Sequence, residues 1–243
     1  AGTEPGPGHQ RDDVVGVVVD ERPRVAHGQL LQRVPDAVVR AGLGEVVASN
    51  NESFPVGAMV NGLTGWQDYI VISDSNPLML VPSEVTAPPS AILGTLGMTG
   101  LTAYFGMLEI GEPKEGETVV VSAAAGAVGS VAGQLAKMKG ARVVGIAGGP
   151  EKCAWLVDEL GFDATVDYKA DDWRRQLKEA TPDGIDVDFE NVGGEIMEAV
   201  FARMNKDGRV ALCGLISGYN EDEPPPGPRS FGNLLIQRVK LQG

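Results

Sequence analysis

Three short glycine-bearing stretches hold the residues whose types and spacing could do chemistry. Ala124, Gly126 and Gly129 follow the run TVVVS. Asn191, Val192, Gly193 and Gly194 follow IDVDFE, and Cys213 and Gly214 follow GRVAL and open a loop from Leu215 to Asn220. Glycine lets a backbone come close to a ligand, and a helix opening near Ala127 would aim unpaired N–H groups at an anion. A pyrophosphate suits such an arrangement. Taken alone the first stretch is weak. It reads A-x-G-x-x-G, with Ala124 where a dinucleotide fingerprint has glycine, and its glycines could serve helix packing alone. Three such loops at equivalent places favour the phosphate reading.

The surrounding elements set those places. From Glu117 onward, short Val-rich runs alternate with helical ones: TVVVS, AVGSVAGQLAKMKG, ARVVGIA, PEKCAWLVDELG, ATVDY, DDWRRQLKEA, IDVDFENV, EIMEAVFARMN, GRVALCG, FGNLLIQR and VKLQ. Apolar strands separated by amphipathic helices predict an α/β fold, a doubly wound parallel sheet covered on both faces. Gly140 and Gly161 stand where helices should end, and Pro150 where one should begin. The leading strand order is 3-2-1-4-5-6, the Rossmann order. It makes strands 1, 4 and 5 neighbours and brings the three loops to one crevice.

The second strand then bears on which dinucleotide. A site preferring NAD commonly carries Asp or Glu about 20 residues past the glycines, at the tip of strand 2, to bond the ribose hydroxyls. Here that tip is Ala147, Gly148 and Gly149. Lys152 follows in the first turn of the next helix, where a cation opposes the helix dipole unless an anion lies near. The 2′-phosphate of NADP is such an anion. Lys152 could instead be a solvated lysine loosely paired with Glu151, and Tyr168, at the end of strand 3, could border the adenosine or be a half-buried strand aromatic.

Composition bounds the rest. The 243 residues are 43% hydrophobic and 22% charged, with no apolar run near the roughly 20 residues of a membrane helix. A net charge of −13 disfavours nucleic acid and anionic membranes as partners. Only Cys153 and Cys213 occur, too few for a disulfide framework or a four-cysteine zinc site, and the expectation is a reduced, cytoplasmic protein.

Residues 1 to 40 differ in kind. They contain five Arg, no Lys and no aromatic residue, and they hold both histidines, His9 and His27. The stretch reads as a linker, a tail or the product of a shifted reading frame, poorly packed and outside the fold. Residues 41 to 108 read as a β-rich piece (GLGEVVAS, FPVGAMV and WQDYIVIS as strands) followed by a helical bridge from about Ser90 to Leu108. Residues 109 to 243 form the nucleotide-binding domain.

The stretches AAAGAVGSVAGQLAK, DGIDVDFENVGG and CGLISGYN, with GMTGLTAYFGMLEIG and more loosely the segment from Gly44 to Tyr69, resemble the zinc-independent medium-chain dehydrogenases/reductases. The likeness is to the NADPH-dependent enone reductases of prostaglandin, leukotriene and curcumin reductase type, over about residues 41 to 243. It implies a partial, truncated GroES-like β domain beside the Rossmann domain. It also implies hydride transfer from NADPH to the β-carbon of an α,β-unsaturated ketone or aldehyde. On that resemblance Gly126, Ala127, Val128, Gly129 and Ser130 would hold the pyrophosphate, and Lys152 and Tyr168 the adenosine end. Asn191, Cys213, Gly214, Leu215, Ile216, Ser217, Tyr219 and Asn220 would line the nicotinamide side.

Tyr219 is the candidate catalytic group. A phenol near the substrate carbonyl could steady the developing enolate, or it could merely pack on the coenzyme. Thr102 could face the cleft but more simply bonds its own helix. No metal is expected, because the ligand set of a catalytic zinc is lacking. The last Rossmann strand is the expected contact of a homodimer. The unmatched first 40 residues and the end at Gly243 imply retained coenzyme architecture with reduced or absent catalysis. The alternatives are a zinc-free quinone reductase and a non-catalytic NADPH-binding fragment.

Overall fold

The structure, a computed structural model, describes residues 41–65, 67–72, 77–223 and 226–243, and the backbone of 15–19. The chain divides into two compact units, Ala1–Leu93 and Gly94–Gly243.

The first unit contains strands β1 (Val15–Val19), β2 (Ala41–Ser49), β3 (Met59–Leu63), β4 (Tyr69–Ile72) and β5 (Leu78–Leu80), then a short helix α1 (Pro89–Leu93). The strands form one antiparallel sheet in the order β4-β1-β2-β3-β5. Its core is Val46, Val60, Ile70, Ile72 and Leu78, with Phe54 and Ala58 packed against them. The strand β1 corrects the expectation that residues 1 to 40 lie outside the fold. Its run VGVVV is rich in β-branched residues, which favour a strand, and it supplies the ladder between β2 and β4, Val17 opposite Val46 on one side and Ile70 on the other. The rest of that segment, with His9 and His27, lies outside the described residues.

The second unit opens with α2 (Met98–Tyr104), which runs directly into a π-helical stretch, Phe105–Gly111. The expected single helix from Ser90 to Leu108 is therefore interrupted, because the chain breaks its helix between Leu93 and Met98 at Gly94 and Gly97. Ala103 and Met107 are fully buried among Val119, Val121 and Phe189. That burial places the helix in the second unit, so the boundary falls after Leu93 and not after Leu108. The π-helical stretch ends at Glu112 in a left-handed conformation (φ 45°). Arg209 satisfies the carbonyls this end leaves open, donating to the Gly111 oxygen at 3.0 Å and the Glu112 oxygen at 2.9 Å, and it pairs with both carboxylate oxygens of Glu117.

Alternating elements follow: β6 (Thr118–Val121), α3 (Ala127–Met138), β7 (Arg142–Ala147), α4 (Pro150–Asp158), β8 (Ala164–Asp167), α5 (Trp173–Ala180), β9 (Ile185–Glu190), α6 (Gly194–Phe201), β10 (Met204–Leu212), a 3₁₀ turn Ile216–Gly218, α7 (Phe231–Ile236) and β11 (Lys240–Gln242). All strand pairs are parallel, in the order β11-β10-β9-β6-β7-β8. Numbered from β6, this is the expected 3-2-1-4-5-6. One face packs Val119, Val121, Val143, Val187 and Phe189 beneath α3, and the other packs Val120, Val144, Ile146, Val166 and Val210 beneath α5 and α6. Gly140 (φ 80°) and Gly161 (φ 68°) follow the ends of α3 and α4, and Pro150 opens α4. No helix among the described residues is long and apolar enough to cross a membrane.

Candidate functional site

The reversal point of the sheet lies between β6 and β9, and the three glycine-bearing loops leave the carboxyl ends of β6, β9 and β10 around it. In the first loop Ala123 holds a left-handed conformation (φ 47°), a strained one for a residue with a side chain. Gly126 caps α3, and among the described residues no side chain caps that helix, which leaves its first-turn amides without a side-chain partner. A Cβ at Gly129 would lie 2.5 Å from the Ala123 carbonyl oxygen. Gly129 thus also serves the packing role considered for it, seating the helix on the turn. Ala127 and Val128 open the helix beside it. Ser130 turns back onto its own helix, its hydroxyl 3.5 Å from the Ala127 oxygen.

On the other side of the glycine loop, the tip of β7 carries no carboxylate. Ala147 accepts the Tyr168 amide at 3.1 Å, and the Tyr168 ring, 44% exposed, covers Gly148. Gly149 has φ 96°, which favours glycine, and donates its amide to Asp167 Oδ1 at 2.8 Å. The same oxygen accepts the Lys169 amide at 3.0 Å. Lys152 lies in the first turn of α4 and is exposed. Among the described residues no ion pair occupies its ammonium, and Glu151 does not bridge to it.

The loops after β9 and β10 are stitched together. Asn191 spends its side chain on β6, donating from Nδ2 to the Ser122 carbonyl at 2.7 Å. The Asn191 oxygen accepts the Ile216 amide at 3.1 Å, and the Val192 oxygen accepts the Ser217 amide at 2.9 Å and hydroxyl at 2.6 Å. Cys213 and Gly214 donate their amides to the Glu190 carbonyl. Partial burial, with Glu190 nearby, pushes the Cys213 thiol up. Tyr219, 65% exposed, caps the 3₁₀ turn, and its hydroxyl oxygen accepts the Leu215 amide at 3.2 Å. That bond leaves the phenolic proton free to be donated. Asn220 follows it, exposed. The Thr102 hydroxyl donates to Met98 of its own helix at 2.7 Å, the simpler of the two roles considered for it.

Three site residues escaped the sequence: Ser122, Asp167 and Glu190. One signal was present. Asp186, Asp188 and Glu190 alternate in a strand that should be apolar on both faces, and each carboxylate there needs a reason. Asp186 accepts the Thr118 amide at 2.8 Å and the Asn205 side chain at 2.8 Å. Glu190 is buried at the strand tip, where Oε1 is bonded and Oε2 has no partner among the described residues. Asp188 lies between them, fully buried, with neither carboxylate oxygen hydrogen-bonded among the described residues. Burial, reinforced by Glu190, raises its pKa well above the ordinary carboxylate range.

A parallel sheet of this order, with ligand-ready loops at its carboxyl edge, defines a doubly wound domain of the nucleotide-binding class. The family description "Zinc-binding dehydrogenase" matches residues 127–243, and "N-terminal domain of oxidoreductase" matches residues 18–81. The NADPH-dependent curcumin reductase of Escherichia coli (strain K12) is 47% identical over 210 residues, covering 85% of this chain and 60% of that one. Prostaglandin reductase 1 of Rattus norvegicus is 47% identical over 229 residues, covering 93% of this chain and 68% of that one. The crystal structure of CurA from Vibrio vulnificus in complex with NADPH superposes with a TM-score of 0.80 at 42% identity, over 100% of this chain and 75% of that one. The chain belongs to the medium-chain dehydrogenase/reductase family, in the group of the curcumin and prostaglandin reductases. It spans 60% of the length of the first of these relatives.

Proposed function

We propose that the chain carries the coenzyme half of an NADPH-dependent reductase acting on the carbon–carbon double bond conjugated to a ketone or aldehyde. One observation carries the coenzyme choice: an exposed Lys152 in the first turn of α4, without an ion pair among the described residues, following a β7 tip that has no carboxylate of its own. A 2′-phosphate there gains a charge-assisted bond to Lys152, and the β7 tip itself contributes no carboxylate, the nearby Asp167 being bonded to the Gly149 amide. The first turn of α3 suits the pyrophosphate, and the Asn191–Gly194 and Cys213–Asn220 loops suit the nicotinamide. The substrate class follows the relatives' names, curcumin reductase and prostaglandin reductase.

Bound NADPH supplies the hydride. Tyr219 offers its free phenolic proton to the substrate carbonyl oxygen, where negative charge grows as the β-carbon is reduced. Its own oxygen is fixed by the Leu215 amide, which orients the phenol before substrate arrives. The outer edge of β11, which pairs with β10 on its inner side, supports a homodimer formed through that strand. Two unpaired cysteines support a cytoplasmic setting.

The test follows loss of NADPH absorbance with a small alkenal or enone and, separately, a quinone. Turnover of the enone above the quinone is expected. Turnover of the quinone alone identifies a quinone reductase, and NADPH binding without any turnover leaves a coenzyme-binding fragment.

A further inference from the structure

Glu190 meets all three tip loops, and the chemistry proposed above makes no use of it. Its side chain is fully buried at the end of β9. A single oxygen, Oε1, accepts the Ser122 hydroxyl at 2.8 Å, the Val192 amide at 2.5 Å and the Gly193 amide at 2.8 Å. Ser122, just past β6, passes the connection on, since its Oγ accepts the Asn191 amide at 2.7 Å. The Glu190 carbonyl accepts the amides of Cys213 at 2.8 Å and Gly214 at 3.0 Å. One residue therefore ties the tips of β6, β9 and β10.

Burying a carboxylate is costly unless its bonds repay the lost water. Burial raises the Glu190 pKa, and the Gly193, Val192 and Ser122 donors work against that rise. An apolar residue of like volume would avoid the desolvation but leave the Val192 and Gly193 amides without this acceptor and the Ser122 hydroxyl with only the Phe189 carbonyl, at 3.5 Å. The arrangement makes sense where loop geometry matters more than stability. In this sheet order the pyrophosphate loop sits at the centre, β7 and β8 lie on one side of it, and β9 and β10 on the other. Glu190 joins the start of that central loop at Ser122 to the second side, and among the described residues it makes no bond to β7, β8 or Lys152.

We propose that Glu190 is a positioning residue for the nicotinamide end of the coenzyme site. It holds the Asn191–Gly194 and Cys213–Tyr219 loops in the arrangement that receives the ring, without touching the ring. The inference rests on the NADPH reading, and its test separates the two.

The variants are Glu190→Gln, which keeps the volume and one acceptor oxygen but loses the charge that strengthens its three bonds, and Ser122→Ala, which leaves the charge but removes one donor to Glu190 and the acceptor of the Asn191 amide. Dissociation constants are measured on the full chain for NADPH and for adenosine 2′,5′-bisphosphate, which carries the adenosine phosphates and no nicotinamide. For Glu190→Gln, NADPH binding weakens about 10-fold while the bisphosphate changes less than about twofold; Ser122→Ala shifts NADPH in the same sense, about threefold. The inference is overturned by unchanged NADPH affinity in either folded variant, or by equal weakening of both ligands, which marks a general structural prop. Should Glu190→Gln not fold, Ser122→Ala decides the matter by the same comparison. Failure of the unaltered chain to bind either ligand instead removes the NADPH reading itself.

Discussion

The carboxylate of Asp167 accepts the backbone N–H of Gly149 at 2.8 Å, so the end of β8 fixes the turn at the end of β7. That carboxylate oxygen thus faces the backbone of the turn, at the place proposed for the adenosine end of the coenzyme. Replacing Asp167 with Ala frees the Gly149 and Lys169 amides, and the KM for NADPH should rise several-fold at unchanged kcat. Asp167→Asn, whose Oδ1 still accepts both amides, should stay near the original KM. Equal KM values for the original and Asp167→Ala proteins would show that the turn holds its shape unaided.

Tyr219→Phe keeps the ring and loses the hydroxyl that accepts Leu215 and is proposed to donate to the substrate. Turnover of an enone should fall by about 10- to 100-fold, in the range of one lost hydrogen-bond donor to developing charge, with NADPH affinity nearly unchanged. Steady-state kinetics with coenzyme titration read both numbers. An unaltered kcat makes Tyr219 a packing residue.

Asp188 is a buried acid without hydrogen bonds to its carboxylate among the described residues, and its raised pKa gives stability a definite pH trend. Below the ordinary carboxylate value the group is neutral in both folded and unfolded chains. As pH rises toward the folded-state value, the unfolded chain releases the proton first, and the fold loses stability. Asp188→Val, matching its cross-strand neighbours Val120 and Val210, should therefore stabilise the protein at neutral pH by about 2 kcal/mol. The gain should be smaller near pH 4. Denaturant midpoints at pH 4 and pH 7.5 check this, and an equal gain at both values contradicts the ionisation account.

Most of the nucleotide unit was legible from periodicity. Its strands are buried on both faces, so TVVVS, RVVGIA and GRVAL are continuous apolar runs, and Gly140, Pro150 and Gly161 punctuate them as helix ends require. The segment from Pro89 to Gly111 was less so, because apolar helix formers continue across the break at Gly94 and Gly97, and only the packing of Ala103 and Met107 with Val119 and Phe189 assigns its second part to the second unit. The strand β1 was obscured by the composition of its surroundings, although VGVVV is itself a strong strand former. Of the candidate site, the glycine loops at the strand tips and the exposed Lys152 in the first turn of α4 follow from residue type and position. Glu190 and Ser122 do not, since their bonds join residues 68 positions apart and the pairing exists only once β6 and β9 are neighbours.

The most direct measurement is a titration of NADPH and of NADH against the intrinsic fluorescence of the original and Lys152→Ala proteins. A lysine that neutralises the coenzyme's extra phosphate gives NADPH at least about 10-fold tighter than NADH in the original, and Lys152→Ala erases that gap by weakening NADPH alone. Matched affinities for the two coenzymes in the original, or an NADPH affinity indifferent to the loss of Lys152, would contradict it.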